Sequence, residues 1–186
     1  MIEVLPEDKW SPNATHIEWD LFNGEDIKVR PEVINRATEI LNKRLPETPN
    51  AGWNPTNHFG ISVIGEANSN PSIYLATITK VRATKKNSLF YVSTDDPQFI
   101  DYLVNNTKVT QEGRTFSPII PNYVGGEFSN EERCIIDLFC IKEMSYIYSN
   151  PFNAYAFNIA STKRTAVGIP HEEGIFVASK TELLNM

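Results

Sequence analysis

The chain has 186 residues, 41% apolar and 11% aromatic with 22% charged, a composition that folds rather than staying disordered and suits about one domain. Its net charge of −6, with Arg82, Lys85 and Lys86 as the densest basic group, excludes the basic footprint of a nucleic-acid-binding protein. The start "MIEVLPEDKWSP" has no basic segment leading into an apolar one, and no run approaches the ~18 apolar residues of a membrane span. The expectation is a soluble, cytoplasmic protein in which the N-x-T sequons at Asn13 and Asn105 are chance occurrences.

Residues 1–30 read as an irregular N-terminal arm, broken by Pro6, Pro12 and Gly24 and carrying Trp10 and Trp19; residues 31–186 read as one Rossmann-like domain. "RPEVINRATEILNKRLPETPN" opens that domain with a helix. Pro31 suits a first-turn position, Val33, Ala37, Ile40 and Leu41 share a face, and Pro46 stops the run. "HFGISVIG" is a short apolar strand, and "PSIYLATITKVRATKK" has the spacing of a helix. "SLFYVST" is the next strand and "DPQFIDYLVNN" a helix begun by an aspartate. "TFSPII" suits a third strand that Pro118 weakens or confines to an edge. "SNEERCIIDLFCIKEM" is a helix with the Ser129 to Glu132 spacing of a capping box. "SYIYSN" is a strand, "PFNAYAFNIAS" a helix and "TAVGI" a last strand.

Alternating strands and helices predict a doubly wound α/β fold with a mostly parallel sheet covered on both faces. Such sheets bind ligands beyond the carboxyl ends of their strands. The loops to watch are therefore Gly65 to Asn70, Ser93 to Pro97, Pro121 to Ser129 and Ser149 to Asn153. Cys134 and Cys140, six apart in one helix, cannot reach each other as a disulfide and read as core thiols. His16, His58 and His171 form no recognisable metal or triad pattern, and the absence of a GxGxxG or P-loop motif disfavours dehydrogenases and P-loop ATPases.

Three places remain for chemistry. In "LFYVSTDDPQFI" a strand ends on Ser93, Thr94, Asp95 and Asp96; Asp96 before Pro97 reads as an ordinary helix cap, and since a helix needs one capping side chain, Asp95 is the carboxylate that points to a ribose or base. In "IIDLFCIKEM" the helical period leaves Asp137 ambiguous, leaning toward the solvent stripe; a buried carboxylate would need partners. In "YSNPFNAYAF" the turn Ser149, Asn150, Pro151, Phe152, Asn153 leads into a helix whose first N–H groups favour an anion, although no cation accompanies them.

Taken together, "LFYVSTDDPQFI", "PNYVGGEF" and "IIDLFCIKEMSYIYSNPFNAYAFNIA" resemble the carboxyl-terminal nucleotide-binding half of the α1,6-fucosyltransferase and nodulation-fucosyltransferase superfamily, over roughly residues 28–160. The resemblance implies a glycosyltransferase-B fold and inverting transfer of fucose from GDP-fucose without a metal or other cofactor. It makes Ser93, Thr94, Asp95 and Asp96 a nucleotide-binding loop and turns Asp137 inward toward the guanine edge. It gives Ser149, Asn150, Phe152 and Asn153 to the diphosphate. Glu66, in the loop after the first core strand, is the carboxylate nominated as general base.

The sequence departs from the family at two points. The family's first strand ends in His-x-Arg, whose arginine binds the diphosphate; Ser62 and Ile64 stand in those places, and Arg114 or Arg164 would have to substitute. One domain also supplies only the donor half, so a glycan acceptor would need a second domain or chain. The implied partners are a nucleotide-sugar donor and a glycan acceptor. The competing reading is a non-catalytic binding or assembly module that kept the fold after losing the arginine.

Overall fold

The computed structural model of the chain describes residues 15–18, 26–42, 58–64, 70–111, 113–122, 125–150, 153, 166–172 and 174–178. The central sheet takes β3 (His58–Val63), β4 (Leu89–Thr94), β7 (Ile119–Pro121), β8 (Tyr146–Ser149), β9 (Ala166–His171) and β10 (Gly174–Ala178), in the order β10-β9-β8-β3-β4-β7. All pairings are parallel except that of β10 with β9. The chain winds outward from β3 through β4 to β7, then returns to the other side of β3 for β8 and β9. That reversal puts the topological switch point between β3 and β8.

Four helices start where local chemistry favours them. α1 (Pro31–Leu41) and α2 (Pro71–Thr84) begin with proline, and Asn70 caps α2 by accepting from Ser72 N at 3.1 Å. Asp96 caps α3 (Pro97–Asn106) by accepting from Gln98 N at 2.9 Å. α4 (Asn130–Lys142) has the expected capping box, with Glu132 N donating to Ser129 Oγ at 3.2 Å and Ser129 N to Glu132 Oε2 at 3.0 Å. The helix expected from Pro151 lies outside the described residues.

Period-two alternation divides the core. Leu89 and Tyr91 of β4 pack with Ile136, Leu138 and Ile141 of α4 and with Val33 and Ala37 of α1. Phe90 and Val92 face the other way, joining Phe59, Ile61 and Val63 of β3 with Tyr74, Ile78, Phe99 and Leu103 of α2 and α3. Gly60 is where α4 comes closest to β3: an added Cβ would lie 2.7 Å from Ile141 Cδ1 and 3.2 Å from Met144 Cγ. Ile141 is fully buried and has nowhere to retreat. Gly60→Ala is therefore expected to cost about 1–3 kcal/mol by overpacking, measured by urea denaturation. Unchanged stability would mean the helix shifts freely.

Four expectations are corrected. Within the stretch read as irregular, β1 (Thr15–Glu18) and β2 (Asp26–Val29) form an antiparallel pair of four residues each, runs too short to stand out among Pro12 and Gly24. "TFSPII" is not one strand but two in different sheets. Before Pro118, β6 (Arg114–Phe116) makes a hairpin with β5 (Val109–Gln111), turned through Gly113 at φ 76°; after it, β7 takes the sheet edge. Proline has no N–H to continue a ladder, but its carbonyl accepts from Phe90 N at 2.9 Å. "TAVGI" is not the last strand, because the apolar run after Gly174 adds antiparallel β10 to the edge. Of the two cysteines, Cys140 is buried and donates to Ala37 O at 3.7 Å, whereas Cys134 lies on the exposed side of α4.

Candidate functional site

The carboxyl ends of β3, β4, β7 and β8 lie together at one edge of the sheet, and most of the nominated residues gather there. Ser93, next to last in β4, follows Tyr91 on the α4 side. From α4, Asp137 turns inward and accepts hydrogen bonds from Tyr91 Oη through Oδ1 and from Ser93 Oγ through Oδ2. This corrects the solvent-stripe leaning of the helical period. The strand offers two hydroxyls at that height, and a carboxylate bonded by both can be held against a core that would otherwise reject it.

Burial pushes the Asp137 carboxyl up to about 6, partly offset by hydrogen bonds from Ser93, Tyr91 and Asn122. Burial also holds the Tyr91 hydroxyl protonated, its pKa well above the usual tyrosine value, so it remains a donor. Asn122, at the end of β7, ties that edge to β4: its backbone N–H donates to Val92 O at 2.8 Å and its side-chain Nδ2 to Thr94 O at 2.9 Å.

The β4 loop divides its residues between roles. Thr94 Oγ1 accepts from Asp96 N at 3.1 Å, and Asp96 spends its carboxylate on the α3 cap. Asp95 is exposed at the tip between them.

At the switch point, buried amides replace open space. Asn150 pairs with Ile64 as a strand would, its Nδ2 donating to Ile64 O at 2.9 Å and its Oδ1 accepting from Ile64 N at 3.2 Å. Asn153 Nδ2 donates to Ser62 O and Ser62 Oγ, both at 3.0 Å. Ser149 donates to Asn150 O at 3.0 Å, and all three side chains are buried. These residues meet at the edge where a diphosphate was expected, but their side chains are committed to β3 and to one another. Ile64 stands at the end of β3 with 41% of its surface exposed.

Glu66, Phe152 and Arg164 lie outside the described residues, as does the side chain of Arg114. Among the described residues no three His, Cys, Asp or Glu side chains converge as a metal site needs, and no helix is long and apolar enough to cross a membrane. Two members of the cluster escaped the sequence reading. Tyr91 was legible in principle, since period two puts it beside Ser93; Asn122 was not, because its partners come from β4 and α4.

No family model matches the chain and no curated protein matches its sequence. Solved structures match through their fold. A fucosyltransferase NodZ from Bradyrhizobium has a TM-score of 0.53 at 14% identity, covering 86% of this chain and 50% of that one. A NodZ alpha-1,6-fucosyltransferase co-crystallized with GDP has a TM-score of 0.52 at 13% identity, covering 85% and 50%. An Arabidopsis thaliana FUT1 mutant in complex with GDP has a TM-score of 0.53 at 10% identity, covering 82% and 38%.

The chain has the glycosyltransferase-type fold of these fucosyltransferases. It spans about half the length of the NodZ structures it matches. The Tyr91, Ser93, Asp137 and Asn122 cluster lies at the strand edge where doubly wound folds take their ligands.

Proposed function

We propose that this chain is the donor-binding half of a glycosyltransferase-type protein, holding a GDP-linked sugar, fucose in the first instance, for inverting transfer to a glycan. The observation that carries the reading is the inward Asp137, fixed by Tyr91 and Ser93 at the carboxyl edge of a sheet shared with fucosyltransferases, one of them co-crystallized with GDP. A carboxylate has about four acceptor positions, so the two hydroxyls and Asn122 leave room for an N–H donor from a guanine edge. Ser93, Thr94 and Asp95 would border the nucleoside, and Asp96 would hold the loop through its cap. The buried side chains of Ser149, Asn150 and Asn153 would shape the diphosphate end, leaving backbone N–H groups of the turn, with Phe152, to meet the anion.

In the transfer itself, a glycan hydroxyl attacks the anomeric carbon from the face opposite the departing GDP, so one C–O bond forms as another breaks. Glu66 is the nominated acceptor of the hydroxyl proton. Positioning and stabilisation of the leaving diphosphate supply most of the acceleration. The acceptor would be presented by a second domain or a second chain.

A second reading is favoured by one observation. Ile64, exposed at the end of β3, occupies the place where the family resemblance expects the diphosphate arginine, and an isoleucine cannot neutralise a leaving phosphate. On that reading the chain binds the nucleotide sugar as a non-catalytic module.

Calorimetric titration with GDP and GDP-fucose tests the shared premise, with UDP as the control. Heat and a thermal shift with the guanine nucleotides, lost in Asp137→Ala, are expected; silence at about millimolar ligand would end the donor reading. Product analysis with GDP-fucose and mixed glycans then separates the two readings. Fucosylated product supports transfer, and binding without turnover supports the module.

A further inference from the structure

We propose that Asp137 is a proton-operated gate on donor binding: the site accepts the nucleotide sugar when the carboxyl is charged and releases it when the carboxyl takes up a proton. The inference rests on the donor reading above and adds its regulation.

The geometry supplies a cluster that accommodates both forms. Tyr91 and Ser93 on β4 bond the carboxyl from the sheet, and each is a hydroxyl, able to donate to a carboxylate. Ser93 can also turn and accept from a carboxylic acid. Asn122, just after β7, adds a hydrogen bond that favours the charged carboxyl. Charged Asp137 thus satisfies both hydroxyl donors, and protonated Asp137 can keep one of those hydroxyls as its acceptor.

Among the described residues no cation is ion-paired to the carboxyl. On α4 itself, Arg133 lies one turn earlier and donates to Phe128 O at 3.2 Å, while burial holds the Cys140 thiol protonated and partial desolvation with the nearby Asp137 raises that of Cys134. From α1, the residues packed against α4 are the apolar Val33 and Ala37; Arg30, just before that helix, is paired with Glu132. From β4, the titratable neighbour is Tyr91, which stays protonated, and β3 presents Ser62, Gly60 and, at its far end level with Leu89, the buried His58 on this side. With hydroxyls and an amide in place of a cation, the carboxyl is pushed up to about 6, within reach of mild acid.

A guanine edge offers N–H donors, which a carboxylate accepts and a carboxylic acid meets with its own O–H. Only the charged fraction is competent to bind, so apparent affinity falls in proportion to that fraction.

The experiment titrates GDP-fucose into the protein between about pH 5 and about pH 8, because a diphosphate esterified at both ends does not itself titrate there. Affinity is expected to be about tenfold weaker at the acid end, following the charged fraction of a single group. Tyr91→Phe and Ser93→Ala each remove a donor to the carboxylate and should move the midpoint to higher pH, while Ser93→Thr restores it. A purely structural role for these hydroxyls would lower affinity without moving the midpoint. Asp137→Asn should give a flat profile, and its fold can be checked by its thermal transition. Binding that is tight and independent of pH in the unsubstituted protein would overturn the gate while leaving the donor reading intact. No binding at any pH would overturn both.

Discussion

Replacing Glu132 by alanine is expected to destabilise the protein by about 3 kcal/mol, enough to shift a urea midpoint visibly. Glu132 is buried yet makes two kinds of contact at once. Its carboxylate receives a bidentate pair from Arg30, Nε at 2.6 Å and Nη2 at 2.9 Å, and it completes the α4 capping box through Ser129 N. Arg30 immediately precedes α1, so one side chain ties the starts of two helices that pack against each other.

The net worth of such a pair against an apolar replacement is small, but the loss of one partner leaves the other desolvated. Arg30 keeps 23% of its side-chain surface exposed, which places the expected cost at the lower end of the about 3–5 kcal/mol range for broken buried pairs. Glu132→Gln keeps an acceptor for the cap and should lose about half as much. Arg30→Met should cost a similar amount by stranding the carboxylate, and the double substitution should cost clearly less than the sum of the singles. A Glu132→Ala variant within about 0.5 kcal/mol of the parent would show that the pair is not coupled to folding.

The second large effect concerns pH. The Asp137 carboxyl titrates near 6 in the folded chain against 3.8 as a free side chain. Between those values the folded protein holds a proton that the unfolded chain has released. Stability therefore falls as pH rises through that window, opposite to the usual salt-bridged carboxylate. The contribution is absent below the unfolded value and reaches its full size above about 6, at up to about 3 kcal/mol before allowance for the residue's partial exposure.

Asp137→Asn removes the titration but keeps a planar group that can accept from one hydroxyl and donate to the other. The stability difference, variant minus parent, should grow in the variant's favour between about pH 4 and about pH 7.5. Urea denaturation at the two pH values measures it. A difference that stays constant would mean the carboxyl titrates at its ordinary value.

The two results bear on function together. Asp137 is less stabilising when charged, and on the donor reading proposed above that charged form is the one that would meet a guanine edge. Perturbed carboxyls of this kind collect at functional sites. Asn150 and Asn153 illustrate the reverse: polar side chains at the same edge whose hydrogen bonds to Ile64 and Ser62 serve the fold.

Much of the architecture was readable along the chain because its causes are local. Asp96 before Pro97, Asn70 before Pro71 and Ser129 with Glu132 start helices with their own backbone neighbours. The short, mostly apolar runs His58–Val63 and Leu89–Thr94 are buried along their whole length, as strands covered by helices on two sides must be. Those signals gave the alternation of strand and helix, and with it the doubly wound class. Where pairing rather than the run's own pattern decides, less was legible: β1 and β2 are strands through pairing with each other, and the run around Pro118 is divided between two sheets, β6 joining the adjacent β5 and β7 the more distant β4.

The candidate site follows the same division. From its own residues the chain determined that Asp96 caps a helix, that hydroxyls and carboxylates gather after β4, and that an aspartate sits among apolar residues of α4. Only the tertiary structure decided which way that aspartate turns. Helical periodicity assigns a residue to a face but does not know what the neighbouring strand presents there. Once β4 sets Tyr91 and Ser93 against α4, two hydrogen bonds offset the desolvation of Asp137, and the inward orientation wins over the solvent stripe.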